Sequence, residues 1–113
     1  MHEMSLCESV LQIVEEQAQT QGFSRVLRVR LEIGALAGVE LDAMRFGFEV
    51  VTRGTLAEDA TLEIIALPGR AWCLKCCQSV GIQQRFDACP LCGGYQWTLT
   101  GGDELRIRDL EVE

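Results

Sequence analysis

The sequence has a single histidine, two prolines and seven aromatic residues in 113, and no apolar run approaches the ~18 residues that would span a bilayer. It also lacks a GxxxxGK[ST] loop, any Ser/His/Asp constellation, internal repeats and low-complexity tracts. These absences exclude an integral membrane helix, a nucleotide-hydrolysing centre of its own and the common nucleophilic enzymes. Cations are also scarce, with 10 Lys+Arg against 17 Asp+Glu, a formal charge of −7 and a pI near 4.7. That balance opposes nucleic-acid binding through a basic surface. The chain opens with no charged segment ahead of an apolar one, so the reading is of a soluble, reduced, cytoplasmic protein that is not an enzyme.

What the chain does have is cysteine. Cys73, Cys76, Cys89 and Cys92 stand as two C-x₂-C pairs separated by twelve residues. In a reduced compartment that spacing favours one tetrahedral Zn²⁺ over disulfides, with a thiol redox pair as the competing reading. Four thiolates close the coordination shell and leave no position for a substrate, so the zinc is expected to be structural. It is needed, because residues 69–100 are too few to fold alone, and structural zinc supplies on the order of 10 to 16 kcal/mol. Arg70, Lys75 and Arg85 against Asp87 leave +2 in that segment, which four thiolates and Zn²⁺ cancel, so the zinc piece has no footprint for phosphate. Cys7 falls on an apolar helix face and reads as core; Cys77, next to Cys76, reads as a bystander, although the sequence leaves open which of the two is the ligand.

Around this segment helical and strand periods alternate. Ser5 with Glu8 suggests a capping box opening a helix with Leu6, Val10, Ile13, Val14 and Ala18 on one face, stopped at Gly22. Period two from Arg25 to Ile33, with Leu27, Val29, Leu31 and Ile33 on one side, predicts a half-buried strand. Residues 34–38 form a small-residue loop, and Leu41, Met44, Phe48 and Val51 mark a second helix ending near Gly54. Strands are expected at Thr61 to Leu67 and Glu104 to Val112, the latter with its alternation slipping at Asp109 and Leu110 as at a bulge, while Pro68-Gly69 and Gly101-Gly102 read as linkers. The fold class is α+β: a small three-stranded sheet with two helices (residues 1–68 and 101–113), plus an inserted four-cysteine zinc-ribbon-like module (69–100).

The lone histidine is His2. A free α-amine at Met1, the deprotonated backbone nitrogen of His2 and the His2 imidazole can close fused chelate rings in one plane, with the Glu3 backbone nitrogen as a fourth donor. Tetragonal nitrogen coordination of this kind suits Ni²⁺ or Cu²⁺ better than Zn²⁺, Mg²⁺ or Ca²⁺. Read blandly, His2 is an exposed terminal residue.

Met1-His2-Glu3-Met4-Ser5-Leu6, the loop Gly34-Ala35-Leu36-Ala37-Gly38-Val39-Glu40, the stretch Phe48-Glu49-Val50-Val51-Thr52-Arg53-Gly54-Thr55, Cys89-Pro90-Leu91-Cys92-Gly93, and the closing Gly102-Asp103-Glu104-Leu105 with Leu110-Glu111-Val112 together resemble the HypA/HybF family of hydrogenase nickel-incorporation proteins. The resemblance implies a nickel metallochaperone that binds Ni²⁺ as transferable cargo at Met1 and His2, with Glu3 and Glu40 as further candidates, and structural zinc at the four cysteines. It further implies delivery to the [NiFe]-hydrogenase large-subunit precursor together with the GTPase HypB, a partner that would supply the nucleotide loop this chain lacks. The competing functional class is a zinc-ribbon protein-interaction module without nickel cargo. No nucleic acid or membrane partner is expected, and a weak homodimer is left open.

Overall fold

The structure, a computed structural model, describes residues 3–113. Two helices and six strands follow in order: α1 (Glu3–Gln21), β1 (Val26–Gly34), α2 (Leu41–Val51), β2 (Thr61–Leu67), β3 (Gly69–Cys73), β4 (Gln78–Ile82), β5 (Trp97–Gly101) and β6 (Leu105–Val112). The strands form two three-stranded sheets, ordered β2-β1-β6 and β4-β3-β5, and the fold is α+β as expected. Contacts divide the chain into two compact units. The first comprises Met1–Leu31, Val39–Ile64 and Ile107–Glu113; the second comprises Glu32–Gly38 and Ile65–Arg106, wider than the segment 69–100 bracketed in the sequence.

In the first unit α1 buries Leu6, Cys7, Val10 and Val14, the stripe that its 3.6-residue period dictates. It ends where Gly22, at φ 79°, donates its N–H to Ala18 O at 2.9 Å, a left-handed stop that an L-side chain would resist. The start differs from expectation. The helix already runs at Glu3, so Ser5 lies exposed in the first turn and does not cap it. A Ser-x-x-Glu pattern nucleates a helix only where the preceding residues are not themselves helical, and Glu3-Met4 are good helix formers.

Helix α2 buries Met44, Gly47 and Phe48. It meets α1 closely, because the Cys7 thiol donates to Met44 O at 3.3 Å and a Cβ at Gly47 would stand 3.0 Å from the Cys7 sulfur. Cys7 is therefore core. At the end of α2 the buried Thr52 satisfies its hydroxyl on Phe48 O at 2.7 Å. The central strand β1 buries Val29, Leu31 and Ile33 as its alternation predicts, but Leu27 is 39% exposed and Val26 takes the core position, its N–H held by Leu56 O at 2.9 Å. On the opposite face Arg28 and Arg30 reach Glu63 on β2 at 3.3 and 3.1 Å, and Asp109 and Glu111 on β6 lie 2.9 and 3.7 Å from Arg30 and Arg28. Such half-exposed pairs add about 0.2–1 kcal/mol each, so they select this face for water more than they hold the sheet together.

The second unit has a core of Leu36, Ala71, Cys73, Val80, Ile82 and Cys89, with Trp97 and Leu99 packed against it. β3 is the middle strand of an antiparallel sheet: Ala71 faces Val80 on one side and Leu99 on the other, and Cys73 faces Gln78 and Trp97. The two dipeptides read as linkers, Pro68-Gly69 and Gly101-Gly102, are part of this structure. Gly69 opens β3, Gly101 closes β5, and Gly34, Gly69 and Gly102 meet backbone to backbone: a Cβ on Gly34 would overlap Gly102 O, and one on Gly102 would lie 2.5 Å from Gly69 Cα. No side chain fits there. Residues 34–38 are not a free loop either, since Leu36 is buried and its carbonyl accepts from Arg85 Nε at 3.2 Å.

Candidate metal centres

The two C-x₂-C segments fold into the same turn twice. Cys73 ends β3, Cys76 follows three residues on, and the next residue, Cys77, turns left-handed at φ 53° so that its N–H donates to Cys73 O at 2.8 Å. Cys89, Cys92 and Gly93 repeat this, Gly93 standing at φ 73° and donating to Cys89 O at 2.8 Å, while Cys89 N–H donates to Gly94 O at 2.7 Å. In each turn, residues i and i+3 aim their sulfurs to one side and residue i+4 closes the loop.

All four sulfurs of Cys73, Cys76, Cys89 and Cys92 lie within 4.8 Å of one another, and those of Cys73 and Cys92 are 3.7 Å apart. Four sulfurs about 2.3 Å from a tetrahedral zinc would stand about 3.75 Å apart, so the spacing suits Zn²⁺ and is far outside a disulfide bond of about 2.05 Å. Cys77 is excluded from the cluster by its own turn: its side chain is exposed and donates to Leu74 O at 3.5 Å. Of the two neighbours, it is the Cys76 sulfur that joins the cluster, with Cys77 in the position that Gly93 fills in the second turn.

The cluster is charged unevenly. Backbone N–H groups of Cys92 and Leu91 point at the Cys89 sulfur and bring its pKa down to about 7, whereas burial, then hydrogen bonding with the sulfurs of Cys73, Cys92 and Cys89, pushes Cys76 up to about 12. The lowered Cys89 and the raised Cys76 share one cluster, a charge imbalance that a dication would relieve. Further support comes from Trp97, whose indole N–H donates to Asp87 O at 2.9 Å and holds the segment leading into Cys89. Trp97 was not legible as a support residue, since its only signal is a tryptophan five residues after a ligand.

Of the nickel candidates, Met1 and His2 lie outside the described residues. Glu3 and Glu40 are brought together: the Glu40 N–H donates to Glu3 Oε2 at 3.3 Å, and Glu40 Oε1 in turn accepts from Asp42 N at 3.2 Å as the cap of α2. Both carboxylates sit at helix starts, where the dipole favours negative charge.

The family described as hydrogenase/urease nickel incorporation, metallochaperone, hypA, matches residues 1–112. This chain belongs to the HypA family. Among relatives, it is 66% identical to the hydrogenase maturation factor HypA of Alkalilimnicola ehrlichii and 62% identical to that of Azotobacter chroococcum, each over 113 residues and the full length of both chains. The solution structure of the Ni metallochaperone HypA from Helicobacter pylori superposes with a TM-score of 0.72 at 25% identity, covering 99% of this chain and 97% of that one. HypA is thus a nickel-incorporation metallochaperone family. Among the described residues no helix is long and apolar enough to cross a membrane.

Proposed function

We propose that this chain carries Ni²⁺ at its N-terminus, through the Met1 amine, the backbone nitrogen and imidazole of His2, and the neighbouring Glu3 and Glu40, for insertion into the [NiFe]-hydrogenase large subunit. Zn²⁺ sits separately on Cys73, Cys76, Cys89 and Cys92 and holds the second unit together. The observation that carries this reading is the family match, which begins at residue 1 and so takes in Met1-His2-Glu3.

The chemistry divides the two metals. Nitrogen donors in one plane suit Ni²⁺, and thiolates in a closed tetrahedron suit Zn²⁺. A closed cage of four thiolates releases its metal slowly, while donors on the first two residues can be surrendered one at a time to an acceptor. With no nucleotide loop of its own, the chain depends on the GTPase HypB for any hydrolysis that drives the transfer. The second unit offers exposed apolar side chains to such partners: Leu74 and Leu91, one between the cysteines of each turn, are 58% and 61% exposed, and Tyr95 is 70% exposed. Those exposed side chains are also what favours the plainer reading, an interaction module without nickel.

Calorimetric nickel titration of native, untagged, zinc-loaded protein beside His2→Ala separates the two. About one Ni²⁺ per chain, lost in the variant while zinc is retained in both, is the expected result. Equal weak binding in both would leave only the interaction module.

A further inference from the structure

Strand β6 lies at an edge of its sheet, and its residues do not alternate strictly. Arg106, Asp109 and Glu111 share the face that carries Glu32, Arg30 and Arg28, to which they are paired, whereas Ile107, Leu110 and Val112 line the other face. Each of these sets steps once by three, so the strand slips by one residue around Arg108 and Asp109. The backbone agrees. Glu104 O accepts from Gly34 N at 2.8 Å, and Glu113 N donates to Arg25 O at 2.9 Å, so both ends turn their peptide groups toward β1 although nine residues, an odd step, separate them. Leu105 and Ile107 before the slip, and Leu110 and Val112 after it, therefore turn their N–H and C=O groups away from β1, toward the open edge.

We infer that β6 pairs antiparallel with β6 of a second copy, about a two-fold axis between Arg108 and Asp109. In that register Ile107 exchanges hydrogen bonds with Leu110 of the copy, and Leu105 with Val112. An unslipped strand could not do this, because partners separated by odd steps would lie on opposite faces of the sheet. With the slip, backbone, faces and charges agree. Arg108 falls opposite Asp109 of the copy and Arg106 opposite Glu111, so the strand Leu-Arg-Ile-Arg-Asp-Leu-Glu-Val is complementary to itself when reversed. Arg108 makes no ion pair among the described residues, so this partner costs it none.

The apolar side supplies the area. Ile107, Leu110 and Val112 line a groove of about 460 Å³ together with Ile13, Gln17 and Phe23, and Ile13 and Val112 are 47% and 40% exposed. A two-fold axis normal to the sheet places both grooves on one face, where Ile107 and Leu110 of each copy cover those of the other. An isologous, closed contact of this kind also caps an edge that would otherwise template open-ended pairing. The pairing uses none of the residues proposed to hold metal and stands whether or not nickel is carried.

Sedimentation velocity on zinc-loaded, full-length protein over a concentration series, with amide hydrogen exchange at each end of the series, tests it. The expected result is a reversible dimer in which the amides of Leu105, Ile107, Leu110 and Val112 slow as concentration rises. Arg108→Glu places like charges opposite each other twice per dimer and should weaken association on the order of tenfold or more, while Arg108→Lys should not. A monomer at the highest soluble concentration would overturn the inference. So would a dimer that slows the β2 edge instead, or one indifferent to Arg108→Glu.

Discussion

Cys77→Gly and Cys76→Ser, made side by side, put the geometry of the first turn at risk. Cys77 stands at φ 53°, a left-handed conformation that costs an L-residue roughly 1–2 kcal/mol and glycine almost nothing, and its exposed side chain donates to Leu74 O. Glycine also gives the unfolded chain more freedom, by roughly 0.5–1 kcal/mol, so the net effect of Cys77→Gly should be a gain of about 0.5–1 kcal/mol or no change, with zinc held as before. Cys76→Ser removes one of four thiolates. If structural zinc in such a site is worth ~10–16 kcal/mol, a quarter share is about 2.5–4 kcal/mol, a loss of zinc affinity on the order of a hundred- to a thousandfold. Competition for zinc against a chromophoric chelator, with thermal unfolding of the zinc-loaded proteins, reads both. The reasoning fails if Cys77→Gly releases zinc at low chelator while Cys76→Ser keeps it, for then the sulfurs have exchanged roles and the left-handed turn is not what separates them.

Gly34→Ala should cost ~3 kcal/mol or more in the second unit, because its Cβ would overlap the carbonyl of Gly102 and backbone cannot step aside; a melting temperature within a degree or two of the parent would contradict the close approach. The Cys7 thiol is raised, first by burial and then by Glu3 and Glu8, so between the ordinary thiol pKa near 9 and its higher folded value the unfolded chain has lost a proton that the folded chain keeps. Stability to urea should therefore be fully present below pH 9 and fall above it, and Cys7→Ala, despite a packing loss of about 1 kcal/mol, should flatten its part of that slope. Nickel affinity should drop with acid, since an amine of pKa about 7.7–8.0 and an imidazole near 6.5 must shed protons to ligate; equal affinity on both sides of neutrality would exclude them as donors. Glu40→Ala should cost about 1 kcal/mol by uncapping α2, seen in a urea melt, with a nickel effect much smaller than that of His2→Ala.

The sequence shows most of the first unit because there hydrophobicity and structure report the same thing. Leu6, Val10 and Val14 recur at the helical period, β2 is bounded as its composition predicts, and Gly22 stops α1. Ser5 misleads because a capping box is a local pattern, and the helix had already begun upstream. The second unit hides its strands for a different reason. β3, β4 and β5 are five residues each, and their inward positions are filled by Gly69, Ala71 and Cys73 or by single apolar residues such as Val80 and Ile82. When cysteines that read as ligands are also the core, alternation has too few letters left to be visible. Leu36 was lost for the same reason: one leucine among small residues gives no period, although it plugs the core next to Ala71.

Cysteine spacing alone picks out the four sulfurs that the structure gathers, but the separation of Cys76 from Cys77 follows from the handedness of the turn. In both turns the ligand at i+3 is followed by a left-handed residue whose N–H returns to the carbonyl of the first ligand, and the repeat at Gly93 explains why that position is conformational and not coordinating. The same turns direct the N–H groups of Cys92 and Leu91 at Cys89 and bring its pKa down to about 7, while burial, then hydrogen bonding with the neighbouring sulfurs, pushes Cys76 up to about 12. In the proposed zinc site, loading would exchange thiol protons for the charge of the cation, and release would need those protons back. A site with that requirement is suited to staying filled. The carboxylates of Glu3 and Glu40 are different in kind: each already answers a backbone N–H at a helix start, so whatever metal borrows them competes with single hydrogen bonds that re-form when it leaves.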